Sequence, residues 1–295
     1  MSENVTRRGF LKKSSLIGAA VAAMQAADGV RAAEDASYNL PQIRLGELEV
    51  SRLILGTNPF FGFAHQSGDL GEQMREYYTD QRIMAVMDQA AELGITAVAG
   101  PPYEQWIRLY NQYLENGGKL RIWISQPDDK PPKMTKAIDD SVKKGAKAIF
   151  IQGMRIDEQF REGKLDVIRE WLEQVKDSGL PVGMASHRPD VHLAAEEKNF
   201  PTDFYFQCFF QADHDDYRDE DRDKAIATIR KIEKPVVGYK ILAAGRIPAR
   251  EGFSFAFKHI RPKDGVCVGM FPKVKPDMIE EDVGLTRKLS KGASA

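Results

Sequence analysis

Eight short apolar or β-branched runs alternate with amphipathic stretches along this 295-residue chain, and such alternation is what a parallel sheet with crossover helices requires. The runs fall at residues 51–55, 96–99, 121–125, 148–152, 182–185, 204–209, 236–241 and 266–270. Between them the spacing predicts helices over 81–93, 103–115, 134–144, 165–176, 191–197, 221–231 and 249–258, with a last one over 276–289. In the first of these Ile83, Val86, Met87, Ala90 and Ala91 share one face. Gly94, Gly117-Gly118, Gly145 and Gly179 close four helices where a left-handed cap is wanted. Eight such units predict a single (β/α)8 TIM barrel. An open doubly wound sheet is the competing fold, disfavoured because no Gly-x-Gly-x-x-Gly follows the first strand.

Ahead of the barrel, Thr6-Arg7-Arg8-Gly9-Phe10-Leu11-Lys12 resembles the twin-arginine export motif. An alanine-rich run over 14–27 follows, and Val30-Arg31-Ala32 suits signal-peptidase cleavage before Ala33. The run is well short of the ~20 apolar residues that span a bilayer, and no second run follows, so stable membrane insertion is not expected. The chain therefore divides into a signal peptide (1–32), a linker (33–40) and a barrel domain (41–295). Its expected partner during export is the twin-arginine translocon, and its expected place is the periplasm or the medium.

The full chain has a formal charge of -1, and loss of the basic leader leaves the mature part near -4. Nothing in that balance invites nucleic acid. Cys208 and Cys267 fall in separate predicted strands with one more between. A bridge needs α-carbons within ~7 Å and would have to cross the barrel interior, so free, buried thiols are expected.

In a TIM barrel the chemistry gathers at the carboxyl ends of the strands. There the chain offers Asn58 after strand one, Tyr103 after two, Gln126 and Asp128 after three, Gln152 after four and His187-Arg188 after five. Gln211 and an acidic loop follow strand six. Strand seven carries Lys240 and reaches Arg246, and Lys273 follows strand eight.

Several segments resemble the aldo/keto reductases over nearly all of the mature length. Arg44-Leu45-Gly46 through Val50-Ser51-Arg52-Leu53-Ile54-Leu55-Gly56-Thr57 resembles that family's first hairpin and strand, and Glu92-Leu93-Gly94-Ile95-Thr96 its helix-to-strand junction. Tyr239-Lys240-Ile241-Leu242-Ala243-Ala244-Gly245-Arg246 resembles the seventh strand. Val266-Cys267-Val268-Gly269-Met270 with Met278-Ile279-Glu280-Glu281-Asp282 resembles the eighth strand and the helix that clasps the nucleotide. The resemblance implies an oxidoreductase with a nicotinamide cofactor, NADP, and Lys273 near its phosphate; the residues themselves leave the cofactor open.

The same resemblance exposes a departure. The family's Asp, Lys and His at the barrel mouth correspond here to Ala99, Gln126, and Gln152 or Gly153, and Asp282 stands where an asparagine is usual. Tyr103 alone matches, one residue out of register. Without the lysine, nothing lowers the pKa of a tyrosine hydroxyl enough for it to donate a proton near neutral pH, so the standard reductase mechanism does not carry over.

A rebuilt catalytic set is expected from Tyr103, His187 and Lys240, with Asn58, Gln126, Gln152 and Arg246 binding substrate. Strand alternation groups Gly238, Lys240 and Leu242 on one face, and Lys240 is expected to point inward. A desolvated lysine there could form a Schiff base or act beside a hydroxyl; the competing role is an ion pair with a buried carboxylate or exposure at the rim. The loop over 213–221, with His65 and His187, has the residue types for a cation but no calcium-loop spacing, so no metal is assigned. Trp106, Trp123 and Trp171 are expected in the core, whereas Phe60, Phe61 and Phe63 lie in a loop suited to cover a ligand or the core.

Three functions are consistent with these residues: an oxidoreductase-like enzyme on a small carbonyl or hydroxy compound, sugar-derived compounds included; a cofactor-free lyase, aldolase or isomerase through Lys240 and His187; and a ligand-binding barrel without catalysis.

Overall fold

A computed structural model describes residues 40–66, 68–210 and 217–290. The export motif and the 213–216 part of the acidic loop lie outside these described residues. A hairpin of β1 (Gln42–Leu45) and β2 (Leu48–Ser51) comes first. The eight predicted runs then appear as β3 (Leu53–Gly56), β4 (Ala97–Gly100), β5 (Ile122–Ser125), β6 (Ala148–Ile151), β7 (Val182–Ser186), β8 (Phe204–Cys208), β9 (Val236–Tyr239) and β10 (Gly265–Gly269). All pair in parallel, and β10 bonds to both β9 and β3, so the sheet closes into a (β/α)8 barrel.

The helices are α1 (Leu70–Tyr77), α2 (Asp80–Glu92), α3 (Glu104–Glu115), α4 (Lys133–Lys143), α5 (Gly153–Arg161), α6 (Leu165–Asp177), α7 (Pro189–Glu197), α8 (Asp219–Ile229), α9 (Ala249–His259) and α10 (Met278–Ser290). Neither α1 nor α5 is foreseen by the pattern, because each buries one large apolar side chain, Met74 and Ile156 respectively, and so carries no apolar stripe. Gly94, Gly117, Gly145 and Gly179 all take a positive φ at helix ends, the conformation that costs other residues about 1 kcal/mol or more.

Alternation along the strands builds two cores. Inward residues, among them Ile54, Ala99, Ile124, Phe150, Phe206 and Val237, form one cluster, which the hairpin's Ile43, Leu45 and Val50 join. Outward residues such as Leu53, Val98, Trp123, Ile149 and Met184 pack with the helices in the other. Large side chains inside are matched by small ones: a Cβ at Gly183 would lie 2.3 Å from the Phe204 ring. The Phe150 and Phe206 rings stack with centroids 4.0 Å apart and face the barrel mouth above them. Trp106, Trp123 and Trp171 are buried as expected. Both cysteines are free thiols, Cys208 buried and Cys267 only partly so.

Candidate active site at the barrel mouth

The carboxyl ends of the strands surround a cavity of about 830 Å3. Asn58, Tyr103, Gln126, Gln152, His187 and Lys240, contributed by six different strand ends, all line it. Arg246 and Lys273 are absent from its wall. Arg246 instead donates to the carbonyl oxygens of Ala243 at 3.1 Å and His65 at 3.0 Å, and lies 4.1 Å over the Tyr217 ring. Its guanidinium ties two rim loops together from behind. Lys273 is exposed.

Lys240 reaches the cavity by a route that alternation does not predict. The inner face of β9 carries Val237 and Tyr239, so regular pleating would send Lys240 outward. The strand ends at Tyr239, and Lys240 turns left-handed at φ 55°, followed by Ala243 at 48° and Ala244 at 55°. Three non-glycine residues in that region hold on the order of 1 kcal/mol of strain each, a pattern concentrated at functional sites. Gln66 Nε2, donating to the Ala244 carbonyl at 2.6 Å, and Arg246 brace the turn. Burial pushes the Lys240 ammonium pKa down, and Arg246 adds to the effect. Among the described residues no carboxylate pairs with Lys240.

His187 is held by a residue the sequence did not single out. Asp157, on α5, is buried, and its Oδ2 lies 2.8 Å from His187 Nδ1 and 3.1 Å from the His187 backbone N. The Ser186 hydroxyl donates to the other oxygen at 2.5 Å. An ionised carboxylate only accepts, so Nδ1 carries the proton and Nε2 presents a lone pair. Gly153 makes space for this ring: a Cβ there would meet His187 Nδ1 at 3.2 Å and the Tyr239 hydroxyl at 3.1 Å. The one available signal for Asp157 was its place one turn into a helix starting at Gln152, and that helix was itself missed.

Tyr103 pairs with a carboxylate. Its hydroxyl donates to Asp128 Oδ2 at 2.5 Å. Burial and that bond push its pKa up, and burial likewise raises that of Asp128. A tyrosine that donates its proton near neutral pH is served by the opposite shift, and this hydroxyl proton is directed at Asp128. His65, at the lip, lies 3.1 Å from Asn58 Nδ2 through its Nε2. Desolvation, with Lys240, His187 and Arg246 nearby, pushes its pKa down to about 4. Of the three predicted aromatics, Phe60 is buried, Phe61 meets Tyr103 edge-on at 5.3 Å, and Phe63 stays exposed on the cavity wall. Among the described residues no group of three or more His, Cys, Asp or Glu side chains could hold a metal ion.

A nicotinamide nucleotide would bring a pyrophosphate to the wall formed after β9 and β10 and by α10. That wall presents Leu242, Phe271, Val274 and Met278. Lys273 lies outside it, and Lys275 is paired with Glu281 at 2.7 Å. Asp282 is buried with neither oxygen hydrogen-bonded, and burial raises its pKa to about 8. Apolar side chains fit a dianion poorly, so the part of the wall formed by Leu242, Phe271, Val274 and Met278 does not suit a pyrophosphate.

No family model matches the sequence, and no curated protein matches it. Similar folds occur among solved structures. Two structures of candidate aldo-keto reductases from Pseudomonas aeruginosa align at 19% and 18% identity, each with a TM-score of 0.60 over 85% of this chain and 97% of the other. N-acetylneuraminic acid synthetase from Leptospira borgpetersenii aligns at 14% identity and a TM-score of 0.52, over 86% and 90%. These likenesses show the fold, a (β/α)8 barrel, and the polar groups at its strand ends collect around one mouth.

Proposed function

We propose that this protein is an aldo/keto reductase-like barrel enzyme that moves protons on a small carbonyl or hydroxy compound through a rebuilt site. The observation that carries the reading is that His187, with Nδ1 fixed by Asp157, shares one cavity with Lys240, which pairs with no carboxylate among the described residues. Nε2 takes a proton from the carbon beside a carbonyl, or from a hydroxyl, and later returns it. The Lys240 ammonium stabilises the oxyanion that forms, an interaction strengthened where water is excluded. Asn58, Gln126 and Gln152 offer amides that can orient hydroxyl groups. The Tyr103–Asp128 pair closes one side of the cavity.

The test is solvent-deuterium incorporation, followed by proton NMR, with a panel of short hydroxyketones and aldoses in heavy water. Exchange beside the carbonyl, abolished in His187→Asn, is the expected result; no exchange on any member by the wild-type protein would overturn the proposal. Export belongs to the same reading and rests on the leader motif. Replacing Arg7 and Arg8 together by lysine should retain the protein inside a twin-arginine-competent host, and undiminished export would refute that part.

A further inference from the structure

The cavity has two chemically different sectors. Above β4 to β7 its wall carries Tyr103, Gln126, Asp128, Gln152 and His187, with Met154 as the one exposed large apolar side chain on that side among the described residues. Above the contiguous strands β9, β10 and β3 it is walled by Leu70, Met74, Leu242, Phe271, Val274 and Met278. Lys240 and Asn58 also come from these strand ends.

Exposure adds a second observation. The exposed large hydrophobic residues among those described are Phe63 at 43%, Met154 at 48% and Val274 at 60%. All three line this cavity, from three separate loops or helix starts. Scattered exposed apolar residues are ordinary, but collection around one opening marks a binding surface. The volume points the same way. At about 830 Å3 the cavity lies high in the range of roughly 300–1,000 Å3 that accommodates drug-sized ligands, well beyond the need of a short hydroxyketone.

We infer that the sector over β9, β10 and β3 binds an aryl or alkyl substituent of the substrate, whose carbonyl or hydroxy end lies against His187 and Lys240. The inference rests on the proposed acid–base site and narrows its substrate to an amphipathic compound. The sector runs into the polar one without a dividing wall in the single cavity, so one molecule can occupy both. Among the described residues, Lys240 is the one lysine or arginine along this lining, which disfavours a dinucleotide in the same space.

The test titrates the full mature protein with N-phenyl-1-naphthylamine, a neutral fluorophore that brightens in apolar surroundings, and then with NADPH as competitor. The expected result is saturable enhancement that NADPH does not reverse, weakened on the order of tenfold in the double variant Val274→Asp, Met278→Asp by the charge placed in an apolar wall. Circular dichroism shows whether the double variant is folded; if it is not, Val274→Asp alone, at a position already exposed, takes its place. No saturable enhancement, equal affinity in the folded variant, or displacement by NADPH would each overturn the inference. The deuterium assay separates this from the underlying reading. Protein that exchanges deuterium but does not bind the fluorophore sinks the apolar sector alone, and protein that binds it but never exchanges sinks the acid–base role alone.

Discussion

The Nδ1 of His187 and the Oδ2 of Asp157 stand 2.8 Å apart across the start of α5, and the same carboxylate also receives the His187 backbone N–H and the Ser186 hydroxyl. Three donors converge on one buried acid, which fixes both the tautomer and the direction of the imidazole. Asp157→Asn keeps the shape but no longer demands a proton on Nδ1, because its amide can itself donate. The expected outcome is a fall in turnover of at least about a hundredfold with KM little altered. Steady-state kinetics on whichever panel member exchanges deuterium measures this, and unchanged kcat would remove Asp157 from the mechanism.

Lys240 sits in the wall with no carboxylate partner among the described residues, and its pKa is lowered chiefly by burial. Its ammonium is the useful form, so activity should fall as pH rises, and a lowered pKa places that fall below the ordinary lysine value of 10.5. Lys240→Arg keeps its charge to higher pH. The variant should retain measurable turnover and lose the alkaline limb, whereas Lys240→Met should retain little at any pH. A pH–rate profile that is the same in the wild type and Lys240→Arg would show that the limb belongs to another group.

Gly153, the first residue of α5, leaves room for the His187 ring. A methyl at this position would press on the imidazole at 3.2 Å and on the Tyr239 hydroxyl at 3.1 Å, distances that require the neighbours to shift by a few tenths of an ångström. Alanine is otherwise welcome in a helix. Gly153→Ala should therefore leave the melting temperature within a few degrees while reducing turnover on the order of tenfold through displacement of the ring. Thermal melts and kinetics measured together check this; full activity would mean that the ring tolerates the displacement.

The barrel was legible in the sequence because its evidence is periodic. Runs of β-branched and apolar residues repeat at strand spacing, and glycines such as Gly94 and Gly145 mark the helix ends with positive φ. The site was legible as far as it followed from strand ends, which is how Asn58, Gln126, Gln152 and His187 were found. Lys240 was found for a mistaken reason: pleating alone would have pointed it outward, and the left-handed turn after Tyr239 redirects it. Gly245 is the single local mark of that turn, since a lysine and two alanines occupy its other three left-handed positions. Asp157 was missed because α5 lacks an apolar stripe and its partner lies 30 residues away in the chain. Arg246 and Lys273 carried charges suited to a ligand, but only the three-dimensional wall separates a side chain that faces the cavity from one that braces it.

Asp282 gives the remaining prediction. It lies buried on α10 with both carboxylate oxygens unpartnered, and burial, helped by Glu281, raises its pKa from 3.8 to about 8. Below pH 3.8 the folded and unfolded chains are both protonated at this group, and its contribution to stability is fully present. As pH rises through 3.8 the unfolded chain ionises first, and stability falls by about 1.4 kcal/mol per pH unit until the folded group also ionises near pH 8. Asp282→Asn removes this ionisation while leaving an amide of the same shape. Its gain over the wild type should be near zero at pH 4 and rise to on the order of 5 kcal/mol at pH 7.5, where roughly 2–4 °C of melting temperature accompany each kcal/mol. Thermal denaturation of both proteins across that range checks the sign. A difference that stays constant with pH would show that Asp282 titrates alike in the folded and unfolded chains, and would remove burial as the governing effect.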